Sequence, residues 1–163
     1  MAIQAGVITI SDKGSRGERE DKSGPEIIAM LKNAGIDVAC VKIIPDEKNQ
    51  IKETLIDFVD GKNLALIVTT GGTGVSPRDV TPDATLEVID KEVPGMAEAM
   101  RQASAAITPH AMISRAIVGI RGKSLIVNLP GSPKAVRENF AVILPALSHA
   151  VGKIRGDDAD CAS

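Results

Sequence analysis

Residues 64–83 read LALIVTTGGTGVSPRDVTPD, and this stretch decides the fold. The apolar run 64–68 predicts a buried strand, and the triplet 81–83 is a typical start of a helix. A glycine-rich turn, 71–74, therefore joins a strand to a helix, which is where α/β folds build anion sites. Because glycine lets backbone N–H groups come close to a phosphate, the stretch predicts a phosphorylated or nucleotide ligand.

Strands alternate with helices in the chain up to this turn. The predicted elements are a strand 3–10, a helix 23–35 capped by Ser23, a strand 38–44, a helix 46–61 capped by Asp46, and a strand 64–69. The runs assigned to strands are apolar throughout rather than alternating, as in strands covered on both faces. The order β-α-β-α-β therefore favours a parallel sheet with helical crossovers.

The remaining elements follow the turn. They are a helix from Thr81 to about Asp90, a second helix with an apolar face at Met96, Met100, Ala103 and Ile107, a hairpin of 116–120 and 124–128, and a long last helix from Pro133 with Ser132 as its cap. Pro94 and Gly95 separate the first two helices. No linker divides the chain, so we expect a single domain over 1–155 and a disordered tail over 156–163.

The composition is that of a globular protein of one domain. The chain has 163 residues, of which 44% are apolar and 25% are charged, enough to bury a sizeable core. Its net charge is −2, and it has no Trp, no Tyr and two Phe. Nucleic-acid binding selects basic faces and aromatic rings for base stacking, so these values argue against a nucleic-acid partner.

The sequence predicts no disulfide and no membrane segment. Two cysteines, Cys40 and Cys161, do not make a disulfide framework, and Cys40 is expected to be a small core residue. The chain has no basic and apolar leader, and no apolar stretch approaches the ~18 residues that a membrane-spanning helix needs. We therefore expect a cytoplasmic protein that does not bind membranes.

Two aspartates follow the ends of predicted strands. Asp46 comes after the strand 38–44, and Asp79 lies a few residues after the strand 64–69. Open α/β sheets bind ligands at this edge, and two carboxylates converging there suit Mg²⁺ beside substrate phosphates. The alternatives are a helix cap for Asp46 and an ion pair with Arg78 for Asp79. Asp83 suits the first turn of a helix for dipole reasons alone.

Two further turns lie where the same edge is expected. Residues 128–133, NLPGSP, form a glycine turn at a helix start, which is either an anion site or a rigid cap. Ser11 and Asp12 leave the first strand and open a charged loop, 11–22, which contains four cationic residues: Lys13, Arg16, Arg19 and Lys22. These cations either attract a polyphosphate or belong to a solvated loop.

Several common catalytic patterns are missing from the sequence. The turn 71–74 lacks the Gly-Lys-[Ser/Thr] ending of a P-loop. His110 and His149 have no Cys or Glu at metal-ligand spacing, so both are expected to be structural or surface residues. Gly-x-Ser-x-Gly is absent as well, which argues against a covalent hydrolase.

At these motifs the chain resembles the molybdenum cofactor biosynthesis family of molybdopterin-binding proteins, the MogA/MoaB family. The resemblance extends from Gly6 to about Val151. It is carried by 8–12 (ITISD), 21–25 (DKSGP), 44–47 (IPDE), 70–83, 94–95 (PG), 112–115 (MISR) and 129–133 (LPGSP). The tail beyond Val151 has no counterpart in this pattern.

The resemblance implies a three-layer α/β/α fold with a mostly parallel central sheet, and a homotrimer. It also implies a molybdopterin adenylyltransferase reaction, in which Mg-ATP and molybdopterin yield adenylyl-molybdopterin and pyrophosphate. Mg²⁺ is the implied cofactor, and ATP and molybdopterin are the implied substrates. Docking to the molybdate-insertion enzyme is a further partnership that the resemblance suggests.

The family's functional residues map onto this chain motif by motif. The two essential aspartates match Asp46 and Asp79, which are assigned to catalysis through Mg²⁺. The residues assigned to substrate binding are Ser11, Asp12, Gly71, Gly72, Thr73, Gly74, Asp83, Ser114, Arg115, Asn128, Pro130, Gly131 and Ser132.

Two other functions compete with the transferase. A non-catalytic molybdopterin-binding or scaffold protein of the MoaB type needs the glycine turn but not both Asp46 and Asp79. The presence of both residues favours the enzyme. A generic nucleotide-binding protein would bind ATP without the pterin, and ATP titration with and without the pterin would distinguish it.

Overall fold

The computed structural model describes residues 2–157, which form a six-stranded sheet with helices on both faces. The strands are β1 (Gln4–Ile10), β2 (Asp37–Ile44), β3 (Leu66–Thr70), β4 (Lys91–Glu92), β5 (Val118–Arg121) and β6 (Ser124–Leu129), in the order β2-β1-β3-β6-β5-β4. Strands β2, β1, β3 and β6 run parallel, whereas β5 is antiparallel to both β6 and β4. The mostly parallel central sheet is therefore confirmed.

The α-helices are α1 (Asp12–Ser15), α2 (Ser23–Asn33), α3 (Lys48–Ile56), α4 (Thr81–Val88), α5 (Pro94–Ala105) and α6 (Pro133–Ile154). A π-helical turn (Asp57–Gly61) prolongs α3, and a 3₁₀ segment (Pro109–Ile113) follows α5. The structure contains no helix, among residues 2–157, that is long and apolar enough to cross a membrane.

The sheet divides the buried side chains into two cores. Successive residues of a strand point to opposite faces, so Val7 and Ile8 belong to different cores, as do Leu66 and Ile67. Helices α2, α5 and α6 cover one face, and α3, α4 and the π-helical turn cover the other. The three-layer α/β/α architecture expected from the resemblance is thereby confirmed.

The second strand is less buried than its apolar sequence suggests. Strand β2 lies at the edge of the sheet, where Val41 and Ile43 are 48% and 43% exposed. Cys40, expected in the core, is only partly buried against the face covered by α3. An edge strand has one neighbour in the sheet, so a continuous apolar run does not ensure burial. Cys161 and most of the predicted tail lie outside the described residues.

Several predicted helix ends are wrong. The expected loop 11–22 contains the one-turn helix α1, and the Ser11 side chain caps it by accepting from Gly14 N. Ser23 does not cap α2, because its hydroxyl donates to the carbonyl of Gly131, and Asp21 accepts from Gly24 N instead.

The later elements also differ in detail from the prediction. Pro94 begins α5 rather than only ending the helix before it, and Ile107 lies beyond that helix and is exposed. Strand β4, with its two residues, carried no signal in the sequence. The hairpin and the Ser132 cap of α6 are confirmed.

Candidate functional site

The predicted site residues collect at one edge of the sheet. The parallel strands β1, β2, β3 and β6 all end there, and the loops that follow them contain Ser11–Asp12, Asp46, the glycine turn 71–74 and the turn 130–132. A Cβ added to Gly131 would lie 3.4 Å from Gly71 Cα, so the two glycine turns pack directly against each other. The topology thus joins motifs that are widely separated in sequence.

Asp12 and Asp46 bind each other's backbone. Asp12 N donates to Asp46 Oδ2 at 2.8 Å, and Asp46 N donates to Asp12 Oδ1 at 3.0 Å. Asp46 therefore does not cap α3, whose N-cap residue is Glu47. The reciprocal pair locks the exits of β1 and β2 together and holds both carboxylates at the edge of the sheet.

Arg78 connects this pair to a third loop. Its guanidinium donates to both oxygens of Asp12, at 3.0 and 2.9 Å, and to Glu47 Oε1 at 2.9 Å. The ion pair between Arg78 and Asp79, which the sequence left open as an alternative, is not among these contacts. Asp79 Oδ2 instead accepts from Ser76 N at 2.9 Å, within its own loop.

The carboxylates of Asp46 and Asp12 differ in their electrostatic environment. Burial raises the pKa of Asp46, and the negative charges of Asp12 and Asp79 raise it further, against the opposing effects of the hydrogen bond from Asp12 N and of the charge of Arg78. The hydrogen bonds from Arg78 lower the pKa of Asp12. The protein thus disfavours the ionised form of Asp46 and favours that of Asp12, and a cation beside Asp46 would stabilise its charge.

The backbone of the glycine turn requires glycine at two positions. Gly71 and Gly72 have φ angles of +98° and +65°, which L side chains rarely adopt. A Cβ on Gly71 would collide with the carbonyl oxygen of Ile10, and one on Gly72 would collide with Thr81 Oγ1. The positions that such a Cβ would take at Gly72 and Gly74 lie 3.1 Å from Asp46 Oδ1 and 2.8 Å from Asp79 Oδ2, so the two aspartates flank the turn.

Four successive carbonyls of this turn accept hydrogen bonds from two residues, Thr81 and Arg115. Thr81 supplies its Oγ1 to Gly71 O at 2.9 Å and its N–H to Gly72 O at 3.1 Å. Arg115 supplies its N–H to Thr73 O and its Nε to Gly74 O, both at 2.8 Å.

The amides of the turn therefore face the other way. All peptides here are trans, so the N–H groups of residues 72–75 point away from Thr81 and Arg115. None of these four N–H groups donates to another residue within 2–157. A row of amides in this arrangement binds an anion, such as a phosphate.

A cavity of about 630 Å³ opens beside the turn 130–132, where β1 and β3 end. Ser11, Gly131 and Ser132 line it, together with Thr9, Thr70 and the charged segment 19–23, whereas the turn 71–74, Asp46 and Asp79 are not among its lining residues. Arg19 and Lys22 contribute the cations proposed for that loop, whereas Arg16 pairs with Glu18. This volume suits a ligand of the size of a small organic molecule or a nucleotide.

Other predicted site residues make hydrogen bonds within the protein. Asn128 is fully buried, where its amide donates to Thr69 and Thr85 at 3.1 Å each and accepts from Ile117 N. Pro130 contributes its carbonyl, which accepts from the Thr70 hydroxyl at 2.6 Å, and Ser132 Oγ accepts from Ala135 N. Ser114 is half-buried next to Arg115. Asn128 therefore positions β3 and β6 rather than lining the cavity.

Asp83 and Arg115 bind each other. The guanidinium donates to Asp83 Oδ1 at 3.2 Å and to Oδ2 at 3.0 Å, and this contact lowers the pKa of Asp83.

The sequence did not identify Thr81 and Arg78 as residues of the site, although Thr81 holds two carbonyls of the glycine turn and Arg78 binds Asp12. A Thr at a helix start is explained by capping of the helix, and an Arg beside Asp79 is explained by a local ion pair, so neither residue pointed to a site.

The carboxylates present at the edge allow a metal only with help from a ligand. Residues 2–157 form no group of three or more His, Cys, Asp or Glu side chains that would hold a metal ion by themselves. Mg²⁺ is typically bound by one or two carboxylates together with substrate phosphates. Asp46 and Asp79, beside four outward amides, fit this shared mode of binding.

Comparison with known proteins gives a consistent result. The family model described as a probable molybdopterin binding domain matches residues 6–149. Gephyrin of Dictyostelium discoideum is 47% identical over 159 residues, which cover 91% of this chain but only 22% of gephyrin. The chain thus spans about a fifth of that relative, and gephyrin as a whole says little about it.

Shorter relatives match over most of their length. The molybdopterin adenylyltransferase of Haemophilus influenzae is 46% identical over 140 residues, which cover 85% of this chain and 71% of that protein. The crystal structure of the molybdopterin biosynthesis enzyme MoaB from Thermus thermophilus superposes with a TM-score of 0.90 at 47% identity, covering 94% of this chain and 97% of that one. By sequence and by fold, the chain belongs to the molybdopterin-binding-domain family of molybdenum cofactor biosynthesis.

Proposed function

We propose that this protein is a molybdopterin adenylyltransferase, which transfers AMP from Mg-ATP to the terminal phosphate of molybdopterin and releases pyrophosphate. The observation that carries the proposal is the row of four outward amides of residues 72–75, flanked by Asp46 and Asp79. This arrangement combines an anion site with two carboxylates for a cation. The names of relatives that are 42–46% identical over most of their length support the same activity.

The chemistry requires little proton transfer. A terminal phosphate oxygen of molybdopterin attacks the α-phosphorus of ATP, the bond from that phosphorus to the oxygen bridging the α- and β-phosphates breaks, and pyrophosphate leaves with the bonding electrons. A phosphate is already ionised at pH 7, so no strong general base is needed. The barrier comes from charge repulsion and positioning, which backbone amides and cationic groups reduce.

The residues of the site divide this work. The amides of residues 72–75 hold a phosphate group, and Arg19 and Lys22 add positive charge along the cavity. Asp46 and Asp79 hold Mg²⁺, directly or through its waters. When bound, Mg²⁺ supplies positive charge between phosphates that would otherwise repel each other. The raised pKa of Asp46 fits this role, because a carboxylate whose ionised form is disfavoured is stabilised by a nearby cation.

A non-catalytic pterin-binding or scaffold protein of the MoaB type is the second candidate. It is favoured by the 47% identity to the Thermus thermophilus MoaB structure, although that MoaB is itself described as a biosynthesis enzyme. Such a protein needs the glycine turn and the cavity but not both aspartates. The placement of Asp46 and Asp79 on either side of the turn favours the transferase.

We also propose that the protein is cytoplasmic and forms a homotrimer, and that it passes its product to the molybdate-insertion enzyme by docking. The trimer and the docking rest on the resemblance, whereas the cytoplasmic location rests on the sequence, in which no apolar stretch approaches the ~18 residues of a membrane-spanning helix. The apolar face of the helix after Pro94 gives the trimer little support, because Met100, which lies on that face, is buried in the core of its own chain. Light scattering decides the oligomer: a trimer has three times the 17.0 kDa mass of one chain.

Pyrophosphate release from Mg-ATP tests the activity directly. We expect release that depends on purified molybdopterin. We expect Asp79→Asn to lose at least about 100-fold in kcat while molybdopterin binding survives, since the amide cannot replace a metal-binding carboxylate. Retained turnover in Asp79→Asn would remove the metal role of Asp79. Tight pterin binding without any release in the wild-type protein would establish the binding-protein alternative instead.

A further inference from the structure

Arg115 lies shortly before β5 and spans the inner side of the glycine turn. Its backbone N–H donates to Thr73 O at 2.8 Å, its Nε donates to Gly74 O at 2.8 Å, and a terminal nitrogen donates to the carbonyl of Asp79. One residue thus holds three carbonyls of the loop that connects β3 to α4. Those carbonyls belong to the glycine turn and to one of the two aspartates proposed to hold the metal.

Asp83 fixes the guanidinium in this place. Both of its carboxylate oxygens accept from Arg115, at 3.2 and 3.0 Å. An Arg side chain has five N–H groups, and these contacts with Asp83, Gly74 and Asp79 use four of them. At most one N–H is left for a substrate, so the side chain is arranged to hold the loop rather than to bind a ligand.

The direction of the carbonyls has a consequence for the outer side of the turn. Because a trans peptide points its C=O and the following N–H to opposite sides, each carbonyl that faces Arg115 turns an amide outward. The amides of Gly74 and Val75 depend on Arg115 in this way, whereas those of Gly72 and Thr73 depend on Thr81. The Gly74 amide is therefore set by the backbone N–H of Arg115, and the Val75 amide is set by its side chain.

We propose that Arg115, held by Asp83, is a positioning residue that turns the amides of the glycine turn toward a phosphate and fixes the backbone from which Asp79 projects. The part of this proposal that concerns turnover rests on the proposed transferase function. It replaces the expectation that Arg115 and Asp83 bind substrate directly.

A general contribution to stability does not explain this arrangement. The side chains of Arg115 and Asp83 are 38% and 43% exposed, so water screens their attraction and the ion pair adds little to the stability of the fold. Removing Arg115 should therefore release the loop without unfolding the domain. This separation makes the proposal testable with a folded variant.

A matched control exists at the opposite end of the strands. Arg121, the last residue of β5, makes the same kind of contacts: a two-point ion pair with Asp60 and a bond to the carbonyl of Val88. Arg121→Ala thus removes an equivalent cluster far from the glycine turn. Any effect shared by Arg115→Ala and Arg121→Ala reflects general destabilisation and not positioning.

The test is a titration of the full-length protein with inorganic phosphate, followed through the backbone amide NMR signals of residues 72–75. In the wild-type protein and in Arg121→Ala we expect these signals to shift and saturate. In Arg115→Ala we expect at least tenfold weaker phosphate affinity, with the largest loss of response at Val75, because the variant keeps the backbone N–H that holds Thr73 O but loses the Nε that holds Gly74 O. Added guanidinium at low concentration should restore part of the affinity, because it can occupy the vacated position beside Asp83.

Folded Arg115→Ala with wild-type phosphate affinity would overturn the proposal, and so would an equal loss in Arg121→Ala. Should Arg115→Ala fail to fold, Asp83→Asn replaces it in the titration. We expect Asp83→Asn to bind phosphate more weakly than the wild type, because it loosens the Arg115 guanidinium, and wild-type affinity in this variant would overturn the proposal. In the transferase assay the proposal predicts at least a tenfold lower kcat for Arg115→Ala. If the wild-type protein itself releases no pyrophosphate, the proposed function fails, but the phosphate titration still tests the role of Arg115.

Discussion

Among the single residues of the site, Asp46 has the least favourable environment for a charge. Burial disfavours its ionised form, and Asp12 and Asp79 add like charge nearby. Such an arrangement costs stability in the absence of a ligand, and proteins accept such costs at functional sites. Asp12, in contrast, carries a charge that Arg78 already compensates, which suits a structural link between loops.

This difference predicts a stabilising substitution. The pKa of Asp46 is raised in the folded protein, so ionisation is harder in the folded than in the unfolded state, and this penalty is fully present above the folded pKa. Asp46→Asn keeps an oxygen that can accept from Asp12 N but carries no charge. We therefore expect a higher free energy of unfolding than for the wild type at pH 7, measured with urea, together with loss of transferase activity.

The pH dependence of the free energy of unfolding tests whether charge is the reason that Asp46→Asn is more stable. As the pH falls below the ordinary value for an Asp carboxyl, Asp46 is protonated in both states and the penalty disappears, so the advantage of Asp46→Asn should vanish there. Asp12→Asn is the contrasting variant, because its folded pKa is lowered and its charge is stabilising at neutral pH. If Asp46→Asn were less stable than the wild type at pH 7 and equally so at low pH, the electrostatic explanation would be wrong.

Individual residues also show where sequence reasoning ends. Adjacent positions suggested a pair between Arg78 and Asp79, but the guanidinium reaches Asp12, 66 positions earlier in the chain. The contact between Arg115 and Asp83 spans 32 positions in the same way. Partners of this kind are chosen by the fold, so the sequence identifies the residue types at the site without identifying their pairs.

Among the elements, the glycine turn was predictable because its constraint is local. An apolar run, consecutive glycines and a helix start require a sharp turn wherever they occur, and the positive φ angles of Gly71 and Gly72 confirm it. Helix caps were less predictable, since Ser23 donates to Gly131 across the molecule and leaves the cap to Asp21. Strand β4 exists only through its pairing with β5, which no local pattern reveals.

Substitution of Gly72 tests how much of this turn depends on space and how much on backbone conformation. Gly35, just after α2, has a φ angle of +75° with no atom within 4 Å of an added Cβ, whereas at Gly72 the φ angle is +65° and the Cβ collides with Thr81. We expect Gly35→Ala to cost about 1–2 kcal/mol, the usual penalty for a left-handed residue. Gly72→Ala should cost more, about 2–4 kcal/mol, because it adds a steric clash.

Urea unfolding and phosphate affinity measure the two effects separately. Gly35→Ala should keep the phosphate affinity of the wild type, since it lies at the opposite edge of the sheet from the glycine turn. Gly72→Ala should lose that affinity, because Thr81 must move and can no longer hold the first two carbonyls of the turn. Equal costs for the two variants would show that backbone conformation alone matters at Gly72.

At the scale of the whole molecule, the sheet order explains why the site lies where it does. Four parallel strands, β2, β1, β3 and β6, end at one edge, so their exit loops must meet. The parallel order and the sharp glycine turn follow from the sequence, but the position of β6 beside β3 does not, because hydrophobic patterns do not specify strand neighbours. That neighbourhood packs the turn 130–132 against Gly71, and the cavity opens beside the turn 130–132 and the ends of β1 and β3.

If molybdopterin and the metal nucleotide bind to different residues at this edge of the sheet, each ligand should raise the thermal stability of the protein by its own increment. A ligand present at about 100 times its dissociation constant raises the free energy of unfolding by about 2.7 kcal/mol. For a domain of this size that corresponds to a rise in Tm of roughly 5–10 °C. We expect molybdopterin to produce this rise in the wild type and in Asp79→Asn alike, because the amides of the turn do not depend on the carboxylate.

Mg²⁺ with a non-hydrolysable ATP analogue should then raise the Tm of the pterin-bound wild type further, and chelation of the metal should reverse this second rise alone. In Asp79→Asn the second rise should be absent or much smaller, since one of the two metal-binding carboxylates is missing. A second rise of wild-type size in Asp79→Asn would separate the nucleotide site from Asp79. The glycine turn and the cavity would then account for all the binding, which is the behaviour of a pterin-binding protein rather than of a transferase that uses both aspartates.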